Sequence, residues 1–332
     1  MVLSLLQCER VCPDGTEVAD GRLCAHYDCP DGSKAVLPRL CTRPTPIPTV
    51  SPLPRVVIES CPHEITSPGN YVLEADLEFT SRELNATCIT VGFGGNGSTI
   101  DCQGNSINGP GPPPGYRPGA EPLDDFFGIL LRNASGVTVR NCNVAGFSTS
   151  IYLVDACGNA LINNTARANL LAGISIEGYE GQSCDGNVLI GNKVDGIYIS
   201  FSNNNVLYGN VVNTNDSERG RGITLAAAAN NTLIGNNASG NWYGISMFLG
   251  ANGNILVGNM LSSNKYGVTM GNVVDSNFFM DNYACGNTED VACEGASHAG
   301  GGSGLQTDGG NTCAVYSGPE TCGISCNSSC GS

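Results

Sequence analysis

The chain has 332 residues, of which 14% are charged, and a formal net charge of −15. Only 15 Lys and Arg are present and they are scattered, so nucleic acid is not an expected partner, because phosphate binding needs clustered cations. No apolar run reaches the roughly 18 residues that a spanning helix requires, which leaves no expected membrane span.

The start, Met1-Val-Leu-Ser-Leu-Leu-Gln-Cys8, is shorter than a signal peptide. Residues 8–41 repeat the pattern C-P-D-G-[ST]-x5-R-L-C, once from Cys12 to Cys24 and again from Cys29 to Cys41. Asp-Gly after Pro is turn chemistry. Loops this small build no core, so disulfides are expected to hold them, with a zinc site as the rival reading. Residues 43–54 (RPTPIPTVSPLP) read as a semi-rigid, proline-rich linker. The sequence thus predicts a disulfide-rich module over 1–42, the linker over 43–54, a solenoid over 55–287 and a Cys-rich cap over 288–332.

Residues 55–127 alternate β-rich stretches (Tyr71-Val72-Leu73, Cys88-Ile89-Thr90-Val91, Thr99-Ile100-Asp101-Cys102) with turns. A Pro- and Gly-rich excursion at 109–119 leads to acidic Glu121, Asp124 and Asp125. From residue 128 onward a repeat takes over. Asparagines recur five apart: Asn159/Asn164/Asn169, Asn205/Asn210/Asn215, Asn231/Asn236/Asn241, Asn254/Asn259/Asn264 and Asn277/Asn282/Asn287, with a partial copy at Asn187/Asn192. Short strand-like segments begin at Gly128, Ser150, Gly173, Gly196, Gly222, Gly244 and Gly267, at intervals of 22, 23, 23, 26, 22 and 23 residues. A period near 23 without helical patterning predicts stacked β-coils. In such a stack the asparagines suit the turns and bond to one another along the axis. The glycines are expected to supply positive φ at another corner. Binding of sugar hydroxyls by the asparagine amides is the alternative.

Each strand alternates. In Gly-Ile-Tyr-Ile-Ser, Ile197 and Ile199 are expected inside, Tyr198 and Ser200 outside. This gives an outward column Leu130, Tyr152, Ser175, Tyr198, Thr224, Ser246, Thr269, and beside it Arg132, Val154, Glu177, Ser200, Ala226, Phe248, Gly271. In segments such as Asn231-Thr-Leu-Ile-Gly-Asn236, adjacent apolar residues leave the inward register open. Insertions at 109–127, 178–186 and 213–221 adjoin the strand ends. Tyr152, Tyr198, Arg132, Glu177 and Phe248 are therefore the candidate carbohydrate-binding residues, against the bland reading that tyrosines are ordinary strand-surface residues.

The coils resemble the right-handed parallel β-helix family of NosD-type and CASH (carbohydrate-binding and sugar-hydrolase) repeats. The residues that carry the likeness are Asn231-Thr-Leu-Ile-Gly-Asn236 and its copies, the GIYI, GITL and GISM strands, the lead-in from Cys61 to Gln103-Gly104, and Gly136-Val-Thr-Val-Arg-Asn-Cys142. The resemblance spans about 61–287 and implies an all-β, right-handed parallel β-helix of the pectate-lyase-like superfamily. Family catalytic motifs are mostly missing, with Asp124-Asp125 a weak echo of the aspartates of polygalacturonase-like hydrolases. The histidines are His26, His63 and His298, with no Gly-His-Gly and no Asp-Pro-His. Three functions are expected to compete: polysaccharide binding, a rigid cell-surface element joined to other surface proteins, and a polysaccharide lyase or uronan C5-epimerase. The last would use Tyr152 or Tyr198 as base and Arg132, Arg219 or Arg221 as cation. No metal or cofactor is expected, with Ca²⁺ reserved for the lyase reading.

Seventeen cysteines and eight Asn-x-Ser/Thr sequons point to an oxidising, extracellular or cell-surface setting. The sequons begin at Asn85, Asn96, Asn133, Asn163, Asn215, Asn230, Asn237 and Asn327; chance in an Asn-rich repeat is the alternative. Cys61 and Cys88 are expected to pair, and Cys285, Cys293, Cys313, Cys322, Cys326 and Cys330 to pair among themselves. The odd count leaves at least one thiol free or bridged to another chain.

Overall fold

The computed structural model describes residues 53–112, 125–179, 185–214, 220–271, 273–274 and 276–293, with short stretches at 27–28, 34–35, 306–307, 310–313, 316–317, 324 and 330. Two compact units divide between Leu53 and Pro54. In the first, Tyr27–Asp28 and Lys34–Ala35 pair as an antiparallel ribbon. The disulfides expected within 1–42 and most of the proline-rich linker lie outside the described residues.

The second unit is the expected right-handed parallel β-helix. Its described strands stack into two sheets of 11 strands, one of 6 and a further pair. The first sheet contains the Gly-Ile strands, the second the segments that follow each first asparagine, such as Ala160–Ile162 and Thr232–Ile234. Leu161, Leu189, Leu207, Leu233, Leu256 and Phe279 are the inward residues of the second sheet, all essentially inaccessible. This resolves the open register: the central residue of each triplet enters the core and its apolar neighbours face out. Ile129, Ile151, Ile174, Ile197, Ile223 and Ile245 fill the core from the first sheet.

The asparagines form ladders in the interior of the turns. One column runs Asn159, Asn187, Asn205, Asn231, Asn254, Asn277, and each Oδ1 accepts the backbone N–H of the residue before it in the column, at 2.8–2.9 Å. A second runs Asn164, Asn192, Asn210, Asn236, Asn259, Asn282, Asn311. A buried turn must satisfy its backbone N–H groups without water, and one amide per coil does so while also bonding to its neighbour. The second column extends backwards without asparagine: Asn164 Oδ1 accepts the N–H of Cys142, which is disulfide-bonded to Cys102 on the preceding coil, Cα atoms 4.7 Å apart. In the third column Asp195 stands where the repeat would have Asn, and accepts both the N–H and the Nδ2 of Asn169.

Two expectations are corrected. The glycines opening the strands do not supply positive φ; none of Gly173, Gly222, Gly244 or Gly267 has it. A Cβ on Gly244 would lie 2.5 Å from the carbonyl oxygen of Gly267, and one on Gly267 2.5 Å from that of Asp290. The repeat needs glycine there because the coils approach too closely for a side chain. Nor do the coils stop at 287. Glu289–Cys293 pairs with Tyr266–Met270, Gln306–Thr307 with Phe278–Phe279, and Thr312–Cys313 with Tyr283–Ala284. The tail contributes further coil strands before any cap, because an open sheet edge is best covered by continued pairing.

Cys61 pairs with Cys88 as expected, and Cys285 with Cys330. Cys157 and Cys313 are also disulfide-bonded. The bridges of Cys102, Cys142 and Cys157 go beyond the pairings the sequence predicts. The matching positions of Cys102 and Cys142 at the ends of Thr99-Ile-Asp-Cys102 and Thr138-Val-Arg-Asn-Cys142 were the available signal. Cys322, Cys326 and the side chain of Cys293 lie outside the described residues. Disulfides of this kind fit an oxidising compartment.

Candidate functional site

The outward face of the first sheet carries the candidate residues, in the register the alternation predicts. Leu130, Tyr152, Ser175, Tyr198, Thr224, Ser246 and Thr269 are successive partners across neighbouring strands. Arg132, Val154, Glu177, Ser200, Ala226 and Phe248 form the adjacent column. Tyr152 and Tyr198 are thus two coils apart, about 10 Å at the usual strand spacing.

A shallow groove runs along this face. Its first hollow, about 320 Å³, is lined by Leu171, Ser175, Glu177, Tyr198, Arg221 and Thr224 among others. Its second, about 200 Å³, is lined by Arg221, Tyr243, Ser246, Phe248, Thr269 and Gly271. Arg221 belongs to both and joins them. The floor is a row of hydroxyls, and the Oγ1 atoms of Thr224 and Thr269 are buried there without a hydrogen-bond partner. A buried hydroxyl left unpaired costs free energy, so such atoms are rare in ordinary sheet surfaces.

At one end Glu177 is held from two sides: Tyr152 donates its hydroxyl to Oε2 at 3.0 Å and Ser175 donates to Oε1 at 2.8 Å. The Tyr152 ring packs on Phe127, centroids 4.8 Å apart, over a small apolar cluster of Phe127, Leu130 and Val154. Burial, then the neighbouring Glu177 carboxylate, push the Tyr152 phenol above its ordinary pKa. Held protonated in this way, Tyr152 is a poorer candidate base than an ordinary tyrosine. At the other end Tyr243 and Tyr266 stack at 5.2 Å, the Arg221 guanidinium lies 5.6 Å from the Tyr243 ring and 5.9 Å from Phe248, and Lys265 Nζ sits 3.8 Å over Trp242.

Of the expected residues, Tyr198, Glu177 and Phe248 line the groove, Tyr152 supports it through Glu177, and Arg132 lies exposed in the Glu177 column two coils away. Arg219, Asp124, His26 and His298, with the interiors of the three insertions, lie outside the described residues. Sequence reasoning missed Tyr243, Tyr266, Trp242 and Lys265. Strict alternation puts Tyr243 inside with Ile245, whereas its ring is half-buried and lines the groove. The sequons fall apart from the ladders: Asn85, Asn133, Asn163 and Asn230 are exposed, Asn96 and Asn237 half-buried, and Asn215 and Asn327 lie outside the described residues.

The family model described as "Periplasmic copper-binding protein (NosD)" matches residues 124–301, more than half of the chain. The chain belongs to the NosD family. No curated protein sequence matches it. Similar solved structures include a variant of the periplasmic alginate epimerase AlgG (TM-score 0.49, 15% identity, covering 79% of this chain and 75% of that one). They also include an alginate lyase from Paenibacillus sp. str. FPU-7 (0.44, 14%, 74% and 93%) and the A-module of the Azotobacter vinelandii mannuronan C-5 epimerase AlgE6 (0.41, 13%, 81% and 90%).

The NosD description implies copper, and the donors present do not fit it. Copper sites draw on imidazole, thiolate and thioether. Among the described residues no group of three or more His, Cys, Asp or Glu is placed to hold a metal ion. His63 is packed edge-on against Tyr71, the described cysteines named above are in disulfides, and Met247 and Met270 are core residues. No helix among the described residues is long and apolar enough to cross a membrane.

Proposed function

We propose that this NosD-family chain is an exported β-helix, extracellular or at the cell surface, that binds polysaccharide along the groove of the first sheet. The observation that carries the reading is the groove itself: two hollows joined through Arg221, floored by hydroxyls in register and edged by aromatic rings. Pyranose rings offer hydroxyls at their rim and C–H faces that stack on aromatic side chains. The groove crosses six strands, from Thr149–Val154 to Tyr266–Met270. Five steps at about 4.8 Å give a length of about 24 Å, several sugars of an extended chain.

Binding is favoured over catalysis. A lyase or epimerase needs a base at the sugar's C5 and a cation for the enolate. Arg221 would serve as cation, but of the two expected bases burial makes Tyr152 harder to ionise, and Tyr198 makes no hydrogen bond among the described residues to a group that would take its proton. Asp195, whose carboxyl is raised by burial, already accepts two bonds from Asn169. No resident cofactor is proposed. Affinity electrophoresis against a polysaccharide panel, with absorbance of unsaturated uronides followed in parallel, tests both readings. Retardation without new absorbance is expected, and Tyr198→Ala should weaken it about tenfold, as for loss of one aromatic stack of 1–3 kcal/mol. Equal retardation of Tyr198→Ala and wild type would move the site elsewhere; accumulating absorbance would make the chain a lyase.

A further inference from the structure

We infer that the groove selects an uncharged glycan, a neutral hexosan or pentosan, and discriminates against polyuronates. The inference rests on the glycan reading above and names the ligand class of the same site.

The argument is a match of charge to spacing. A polyuronate laid along the axis brings one carboxylate per sugar, hence about one for each coil of about 4.8 Å. A site built for it would set a Lys or Arg on most of the coils it crosses. Among the described residues the two hollows are lined by one cation, Arg221, whose guanidinium lies over the faces of Tyr243 and Phe248. The next ammonium, Lys265, lies over Trp242 and Tyr266 rather than over the floor. The other charged group lining the groove among the described residues is a carboxylate. Glu177 is fixed by the hydroxyls of Tyr152 and Ser175, one on each oxygen. A carboxylate offers about four lone-pair sites, so two are left for donors in the hollow. Sugar hydroxyls are such donors; a uronate carboxylate is repelled.

The rest of the groove agrees. The floor column Ser175, Tyr198, Thr224, Ser246, Thr269 is uncharged, with hydroxyls that donate and accept. On the corner beyond the strand ends, Tyr179, Phe201, Leu249 and Val273 are exposed, and Leu171 is exposed on the opposite edge. Apolar edges suit the C–H faces of neutral sugars. The chain as a whole, at −15, repels a polyanion before contact. A bridging Ca²⁺ would need oxygen ligands from several carboxylates, and no cluster of three or more acidic groups is present among the described residues.

The test uses polygalacturonate and alginate beside their carboxyl-reduced forms, together with xylan and mannan, on the full-length oxidised chain. Affinity electrophoresis at low and high salt reads binding, and thermal melts verify that each variant is folded. At least one neutral or carboxyl-reduced polymer is expected to bind about tenfold or more tightly than any uronate parent, equivalent to about 1.4 kcal/mol, with little dependence on salt. Glu177→Gln should narrow that gap by strengthening uronate binding, a change no merely structural role of Glu177 predicts. Tighter, salt-sensitive binding of a uronate, abolished by Arg221→Ala, overturns the neutral-glycan inference and leaves the glycan reading standing. Binding of none of these polymers overturns both.

Discussion

Replacing Asn236 by Leu tests the ladder that sets the coil geometry. Asn236 is buried, and its side chain makes four hydrogen bonds. Nδ2 donates to the Leu207 carbonyl and to Asn259 Oδ1, both at 3.0 Å, while Oδ1 accepts the N–H and the Nδ2 of Asn210 at 3.0 and 2.9 Å. Leucine has similar bulk and none of these groups. Asn210 Nδ2 keeps a second acceptor in the Leu189 carbonyl, and Asn259 Oδ1 keeps the Asn236 N–H. The Asn210 N–H and the Leu207 side of the turn lose their partner in a place water does not reach. At about 1–3 kcal/mol for each buried group left unpaired, two such groups cost about 2–6 kcal/mol. Denaturant melts measure the loss, and amide exchange at Asn210 locates it, since a solenoid opens locally at its weakest coil. The exposed control Arg132→Ala should stay within about 0.5 kcal/mol. An Asn236→Leu chain as stable as wild type, with the Asn210 amide still protected, would refute the ladder as a source of stability.

The other predictions are these. Cys102→Ser with Cys142→Ser should lower stability by about 2–4 kcal/mol; the pair joins positions 40 residues apart, and intact mass with and without reductant verifies the bridge in the parent. Asp195→Asn should stabilise the chain at neutral pH. Burial raises this carboxyl above its ordinary 3.8, so ionisation costs folded-state stability as pH rises through the raised value. The gain over wild type should appear in neutral melts and vanish towards about pH 3, where the aspartate is protonated in both states; a gain independent of pH contradicts this account. Thr224→Val should leave the melting temperature unchanged or higher, because the hydroxyl it removes has no partner; a loss above about 1 kcal/mol would mean the hydroxyl is bonded in solution.

The repeat was legible in the sequence because a solenoid imposes the same local problem every 22 to 26 residues. Asparagine solves the buried turn each time, and alternation sorts Ile197 from Tyr198, so the fold and the outward columns could be read from period alone. The role of glycine could not. Gly244 is required by the distance to the next coil's backbone, a contact between residues 23 apart in sequence, and nothing local distinguishes that from a demand for positive φ. The groove was half legible. Tyr198, Glu177 and Phe248 follow from strand alternation, which is a local property. Tyr243 and Tyr266 open their strands and are half-buried against the alternation, and their stacking depends on the register of two coils. The raised Tyr152 phenol and the raised Asp195 carboxyl in the third ladder likewise arise from burial and, for Tyr152, from Glu177 on the neighbouring coil. Sequence determined the period, the core and the face; only the stacked structure decided which side chains on that face meet, because proximity across coils is set by packing and not by spacing along the chain.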